Sequence, residues 1–318
     1  MRTRVCDLFG IEHPVVLGGM GTGTSPELVA AVSNSGGLGV QGCAGRSPDQ
    51  IGRLAEAIRA ATGRPFGLNL LLFMADDAAM DAVLAARPTV FSTAWPWPDF
   101  DLAALFARAH ASGARVMHMI STVNEARRAA EAGADILVAQ GSEGGGHVGL
   151  IGTLVLVPQV VRAVSPLPVL AAGGIADGAG LAAALMLGAE GAWIGTAFLA
   201  TEEAGISGPQ KQALVDGRDE GTTVSRSVTG KPARMVKNRW AQAYADAGLE
   251  PLPMPYQGMV SSQVTAAALA HGRADVWGGF AGQGLGMIRE VRPAAEVLAE
   301  IVAGAERELA RARALLDG

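Results

Sequence analysis

One stretch of this chain joins glycine and imidazole in a pattern that chemistry can use. Gln140-Gly141-Ser142-Glu143-Gly144-Gly145-Gly146-His147-Val148-Gly149 is too rich in glycine to pack by itself and carries one histidine. An unperturbed imidazole titrates near neutrality, so His147 suits proton transfer. Gly145 and Gly146 allow the backbone to pass close to a bound ring while His147 faces a substrate. The plainer alternative is a structural histidine. Gln140, where a strand should end, can hydrogen-bond a cofactor or a substrate.

Further glycine clusters carry their own chemistry. Ala172-Gly173-Gly174-Ile175-Ala176-Asp177 and Gly195-Thr196 each follow a short apolar run. Glycine lets backbone N–H groups approach an anion, and a helix opening near Asp177 adds its positive end. Gly18-Gly19-Met20-Gly21-Thr22-Gly23 lacks the GxGxxG spacing, and no acidic residue closes the next apolar run near Gln41. A Rossmann dinucleotide site is therefore disfavoured, and Gly19–Gly21 is free to lie against a flat ring. Asn69 interrupts the run Phe66–Phe73 with an amide that needs partners. A ring with alternating donors and acceptors would supply them, as would a core neighbour. Gly282-Gln283-Gly284-Leu285-Gly286 opens the last helix and is read as a contact to an anion or a ring, or as a hinge. Each cluster also admits a purely structural reading as a tight turn.

The elements that must position these residues come from an alternation of short apolar runs with helical patterns. Eight runs qualify as buried parallel strands: Val15–Leu17, Leu38–Gln41, Phe66–Leu71, Thr89–Ser92, Arg115–Met119, Ile136–Ala139, Val169–Ala171 and Ala192–Ile194. Ser25-Pro26 and Ser47-Pro48 open capped helices between them, and Gly36, Gly113, Gly133 and Gly188 close others. Eight such units predict an α/β fold, a (β/α)8 TIM barrel. Met1–Gly10 is polar and is expected to lead into the first strand. After the eighth strand, residues 205 to 275 show no strand rhythm and are read as a mostly helical lid over the mouth. Residues 1–204 and 276–318 would form the barrel, closed by a helix over Arg289–Leu316. In such a barrel, function sits at the C-terminal ends of the strands, and the loops after strands seven and eight commonly bind phosphate. The two glycine loops at Gly173 and Gly195 fall at those positions.

Composition removes other classes. The net charge is −5 with no basic run, which argues against nucleic acid. No apolar stretch reaches the ~20 residues that a membrane span needs, and no signal-peptide core is present. Cys6 and Cys43 form no CxxC pair, as expected of free thiols in a reducing cytoplasm. No HxH or HExxH pattern supports a metal site, and no GxSxG elbow supports Ser/His/Asp hydrolysis. Of the other histidines, His13 and His110 read as structural, and His118 points either to the mouth or to the core.

Taken together, Gly18-Gly19-Met20, Phe66-Gly67-Leu68-Asn69-Leu70, Gly141–Gly149, Ala172-Gly173-Gly174-Ile175 and Gly195-Thr196 resemble the nitronate monooxygenases, formerly called 2-nitropropane dioxygenases. The resemblance runs from Val5 to the C-terminus and is strongest over residues 14 to 202. FMN-dependent enoyl-acyl-carrier-protein reductases and NADH:quinone reductases share the pattern. It implies FMN, with its phosphate on Gly173, Gly174, Gly195 and Thr196 and its ring against Gly19, Met20, Gly21, Asn69 and Gln140. Backbone contacts are implied at Gly145 and Gly146, with Ala172, Gln283 and Gly284 also at the cofactor, and His147 as the base. The implied reaction partners are a nitronate or nitroalkane with O2, or NAD(P)H in the reductase reading. One departure stands out. Some relatives carry a lysine just after the strand-five histidine, where this chain has Met119. The basic residues of the lid segment, Lys211, Arg218, Arg226, Lys231 and Arg234, are scattered and mark no 2′-phosphate site. A third reading, a barrel that only binds a phosphate ligand, leaves His147 without a task.

Overall fold

The computed structural model describes residues 1–317. In chain order the strands are β1 (Val15–Leu17), β2 (Gly39–Gly42), β3 (Phe66–Leu71), β4 (Val90–Ala94), β5 (Arg115–Ile120), β6 (Ile136–Gln140), β7 (Gly146–His147), β8 (Val169–Ala172), β9 (Ala192–Ile194), β10 (Thr222–Ser225) and β11 (Ala233–Val236). Eight of them form a parallel sheet in the order β1-β9-β8-β6-β5-β4-β3-β2. A bridge between Val16 and Leu38 brings the two edges of that sheet together. The result is the expected (β/α)8 barrel, in which β8 and β9 are the seventh and eighth barrel strands.

The eight runs form these strands because both faces of each are buried. Val16, Val40, Val90, Met117, Val138, Leu170 and Trp193 share one apolar layer inside the barrel. Their neighbours Val15, Leu17, Phe91, Val116, Leu137, Ala171 and Ile194 join the layer under the helices. Towards the C-terminal ends the inward positions turn small or polar: Gly42, Asn69, Ser92 and Gln140 replace the bulky residues below. That change in residue type opens the mouth.

The helices start where the caps are. Ser25 accepts from Leu28 N at 3.0 Å, and Ser47 and Gln50 form a reciprocal capping box. Asp177 accepts from Gly180 N at 2.8 Å, so its carboxylate already occupies the start of the helix Gly178–Met186. The positive end of that helix, expected to face an anion, is therefore capped by the chain's own carboxylate.

Three expectations need correction. The N-terminal segment does not lead directly into a strand: Arg4–Phe9 is a helix whose Val5, Cys6 and Phe9 are buried at the base of the interior layer. Its apolar face spans too few residues to stand out in a polar segment. The last helix starts at Ala294, after Pro293, because proline tolerates only the first helical turn. Glu203 anchors that start by accepting from Ala294 N at 2.9 Å. Gln283–Met287 is a separate 3₁₀ turn and does not open that helix.

The segment after β9 holds helices at Gly208–Val215, Arg239–Asp246 and Tyr256–Ala270, which cover less than half of residues 205 to 275, so it is less helical than expected. It also holds a ribbon that the sequence did not reveal. β10 pairs antiparallel with β11, and β11 pairs antiparallel with β7 of the glycine-rich loop. Among the described residues no helix is long and apolar enough to cross a membrane.

Candidate active site

The glycine clusters meet at one end of the barrel. Gly141 N donates to Ala172 O at 2.9 Å, tying the loop after β6 to the end of β8. Gly282 N donates to Thr196 Oγ1 at 2.9 Å, and Gln283 N donates to Glu143 O at 2.9 Å. Gly284 lies beside Ala176 and Gly174; a Cβ there would sit 2.8 Å from Ala176 Cβ. Thus Gly141–Gly146, Ala172–Gly174, Gly195–Thr196 and Gly282–Gly284, distant in sequence, are brought together. Gly173 and Gly174 have φ of +104° and +73°, a region that side chains rarely adopt, so the turn requires glycine.

The first glycine turn lies on the same rim. A Cβ on Gly19 would fall 2.5 Å from Asn69 Cβ, Gly21 N lies 2.1 Å from where a Cβ on Gly42 would be, and Met20 Sδ lies 3.2 Å from that of Gly195. Asn69 is buried and its Nδ2 donates to Ser92 Oγ at 3.0 Å, so half of its amide is satisfied by the barrel itself. Gln140 is buried at the inner end of β6. Its Nε2 reaches Gly145 O at 3.4 Å, and its Oε1 has no partner among the described residues.

Glu143 has a task that sequence reading missed. Its carboxylate accepts from Thr153 N at 3.0 Å and from Thr153 Oγ1 at 3.0 Å. It thereby caps the helix Thr153–Val164 from within the glycine-rich loop and favours that helix's positive end. The N-cap position itself is Gly152, which has no side chain to do this.

His147 is held by the ribbon. It pairs with Ala233, and Val148 N donates to Pro232 O at 3.2 Å. Its ring lies edge-on to Phe73 with centroids 5.4 Å apart, and 6.2 Å from the rings of Trp95 and Phe280. His147 Nε2 sits 3.0 Å from Thr229 Oγ1. That hydroxyl donates to Lys231 O at 3.3 Å. Burial, and then the charge of Lys231, push the imidazole down to about 4, so His147 is neutral at physiological pH. Lys231 Nζ lies 4.9 Å from the Trp95 ring centre and 5.3 Å from that of Phe73. Its own proton affinity is lowered by burial.

The backbone of Trp95 is held at φ +55°, an uncommon conformation for a bulky residue. Such strain collects where a site over-determines the chain. Phe73 and Trp95 end the runs of β3 and β4, so their rings were reachable from sequence by position. Thr229 and Phe280 were not, since nothing local marks them. His118 is settled: it is buried, bonds Thr93 Oγ1 at 2.7 Å and packs on Phe106 of the helix Leu102–Ala111, away from the mouth. Burial pushes it down to about 3. His110 bonds Asp135 at 2.8 Å on the outer surface. Among the described residues no cluster of three or more His, Cys, Asp or Glu could hold a metal ion.

This geometry has close parallels. The family model described as nitronate monooxygenase matches residues 2–88 and 74–304. The chain is 33% identical over 351 residues to the nitronate monooxygenase of Pseudomonas aeruginosa, covering 95% of this chain and 99% of that one. It superposes on FabK of Thermotoga maritima with a TM-score of 0.88 at 32% identity, covering 99% of each chain. The nitroalkane oxidase of Streptomyces ansochromogenes gives a TM-score of 0.87 at 33% identity, covering 98% of this chain and 99% of the other.

Proposed function

The chain belongs to the nitronate monooxygenase family and is an oxidoreductase, and we propose that it oxidises alkyl nitronates with O2 to a carbonyl compound and nitrite. The observation that carries this reading is His147, neutral and walled by aromatic rings, set beside the converging glycine loops. FMN is the cofactor in this reading. The residues fit it: Gln140 Oε1 is a buried acceptor with no partner among the described residues, and Gly173 and Gly174 hold a positive φ that favours a turn without side chains. Gly173, Gly174, Gly195 and Thr196 would hold the phosphate, with Ala172, Gln283 and Gly284 around them. Gly19, Met20, Gly21, Asn69 and Gln140 would line the ring, and Gly145 and Gly146 would touch it through backbone. When bound, FMN supplies the redox chemistry between substrate and O2.

The chain's own residues do the rest. Phe73, Trp95 and Phe280 exclude water around His147. With a neutral nitroalkane, His147 takes the α-proton. The Thr229 hydroxyl donates to Lys231 O and so accepts from Nε2–H, which leaves Nδ1 as the unprotonated ring nitrogen that receives it. With a nitronate already ionised, that proton step is not needed. The nitro-bearing carbon becomes a carbonyl and nitrite leaves. A cytoplasmic location belongs to this reading, supported by the buried free thiols Cys6 and Cys43.

The test is direct. Purified protein should be yellow, and should release nitrite from alkyl nitronates or propionate-3-nitronate in air. Holoprotein that forms no nitrite would sink the proposal. The likeness to FabK over the whole chain favours one second reading, NAD(P)H-dependent reduction of a quinone or an enoyl thioester. Anaerobic flavin bleaching faster with NADH or NADPH than with nitronate would select it.

A further inference from the structure

The ammonium of Lys231 is a charge that the proposed reaction has not used. It sits in the turn joining β10 to β11, next to Thr229, whose Oγ1 accepts its backbone N–H at 3.3 Å. Its ammonium is half-buried over the faces of Trp95 and Phe73 and makes no ion pair with a carboxylate among the described residues. The acid that acts on it electrostatically, Glu125, is exposed and engaged by Ser121 N at 2.7 Å. A partly desolvated charge without a counter-charge is costly, and ring faces offset that only in part. At the position after His118 the barrel wall carries Met119, not a cation. Lys231 and His147 lie against the same two rings, Phe73 and Trp95.

We propose that Lys231 is the anion-recognition residue of the mouth, binding the oxygens of a planar oxyanion and so holding the adjacent carbon at His147. The substrate class is then a small apolar group carrying a delocalised oxyanion head, with the apolar part against Phe73, Trp95 and Phe280. This rests on the nitronate reading for the reacting molecule, but the anion site can be measured without any reaction.

Nitrate, a planar and unreactive oxyanion, is the probe. Its binding to flavin-loaded protein is measured by calorimetry for wild type, Lys231→Met and Lys231→Arg. Methionine keeps an apolar stem on the two rings; Lys231→Gln serves if that variant folds poorly by thermal melt. Lys231→Met should weaken nitrate by about tenfold or more, the worth of a hydrogen bond to a charged group, and Lys231→Arg should largely retain it. With alkyl nitronate, Lys231→Met should raise KM far more than it lowers kcat, the mark of lost ground-state binding. Wild type that does not bind nitrate, or neutral variants that bind it equally well, would overturn the proposal. Lys231-dependent nitrate binding without nitrite production would keep the anion site and reject the nitronate reaction. Nitrite production with unchanged KM in Lys231→Met would do the reverse.

Discussion

At His147 the decisive quantity is the cost of charging a buried ring. With its proton affinity pushed down to about 4, the imidazole stays neutral through the physiological range. The acid limb of kcat/KM should therefore fall near pH 4 to 5, below the usual histidine value of about 6.5. A limb near 6.5 would mean that another group controls the rate or that bound cofactor reverses the shift. His147→Asn should lower turnover of neutral nitroalkanes by roughly 10²–10⁴-fold, the usual worth of a general base. Turnover of pre-ionised nitronate should fall much less, and flavin content should persist, since the proposed contacts at Gly145 and Gly146 are backbone. Equal losses on both substrates would show that His147 does something other than take a proton.

The ribbon of β10, β11 and β7 decides where His147 sits. A two-residue strand such as β7 has no hydrogen-bonded neighbour in sequence to support it. Arg234 of β11 ties the ribbon to the glycine-rich loop: its Nε donates to Ser142 O at 3.0 Å and its Nη1 to Thr222 Oγ1 at 3.1 Å. Arg234→Met keeps the stem and removes both bonds. Amide hydrogen exchange over residues 142–149 should accelerate, while the barrel strands stay protected, because local opening and global unfolding are separate events. Uniform acceleration across β1 to β9 would show instead that the ribbon supports the whole fold.

The molecule as a whole buries two histidines in neutral form, His118 and His147, held down to about 3 and about 4. The unfolded chain takes up these protons near pH 6.5, and the folded chain does so only at the lower values. Their contribution to stability is thus complete above about pH 6.5 and is lost as pH falls towards 4 and then 3. Each group adds a slope of about 1.4 kcal/mol per pH unit inside its window. Denaturant unfolding between pH 6.5 and 5 should show this loss, and His118→Gln should cut its slope to about half. A stability that is level over that interval would contradict the buried neutral histidines.

The sequence by itself determined the barrel and the end of it that matters. Eight apolar runs stand out because parallel strands are buried on both faces, and this constraint is written residue by residue. The glycine turns at Gly173–Gly174 and Gly195 are equally legible, since a backbone requirement selects glycine locally. The N-terminal helix was missed because its apolar residues are too few to set a period. Only the tertiary structure decided what surrounds His147. Thr229 reaches it across 82 residues, and Lys231, Phe73, Trp95 and Phe280 arrive from separate elements. A charge balance made by distant chain segments leaves no local pattern. The histidine could therefore be singled out from its loop, but its neutrality and its cationic neighbour could not.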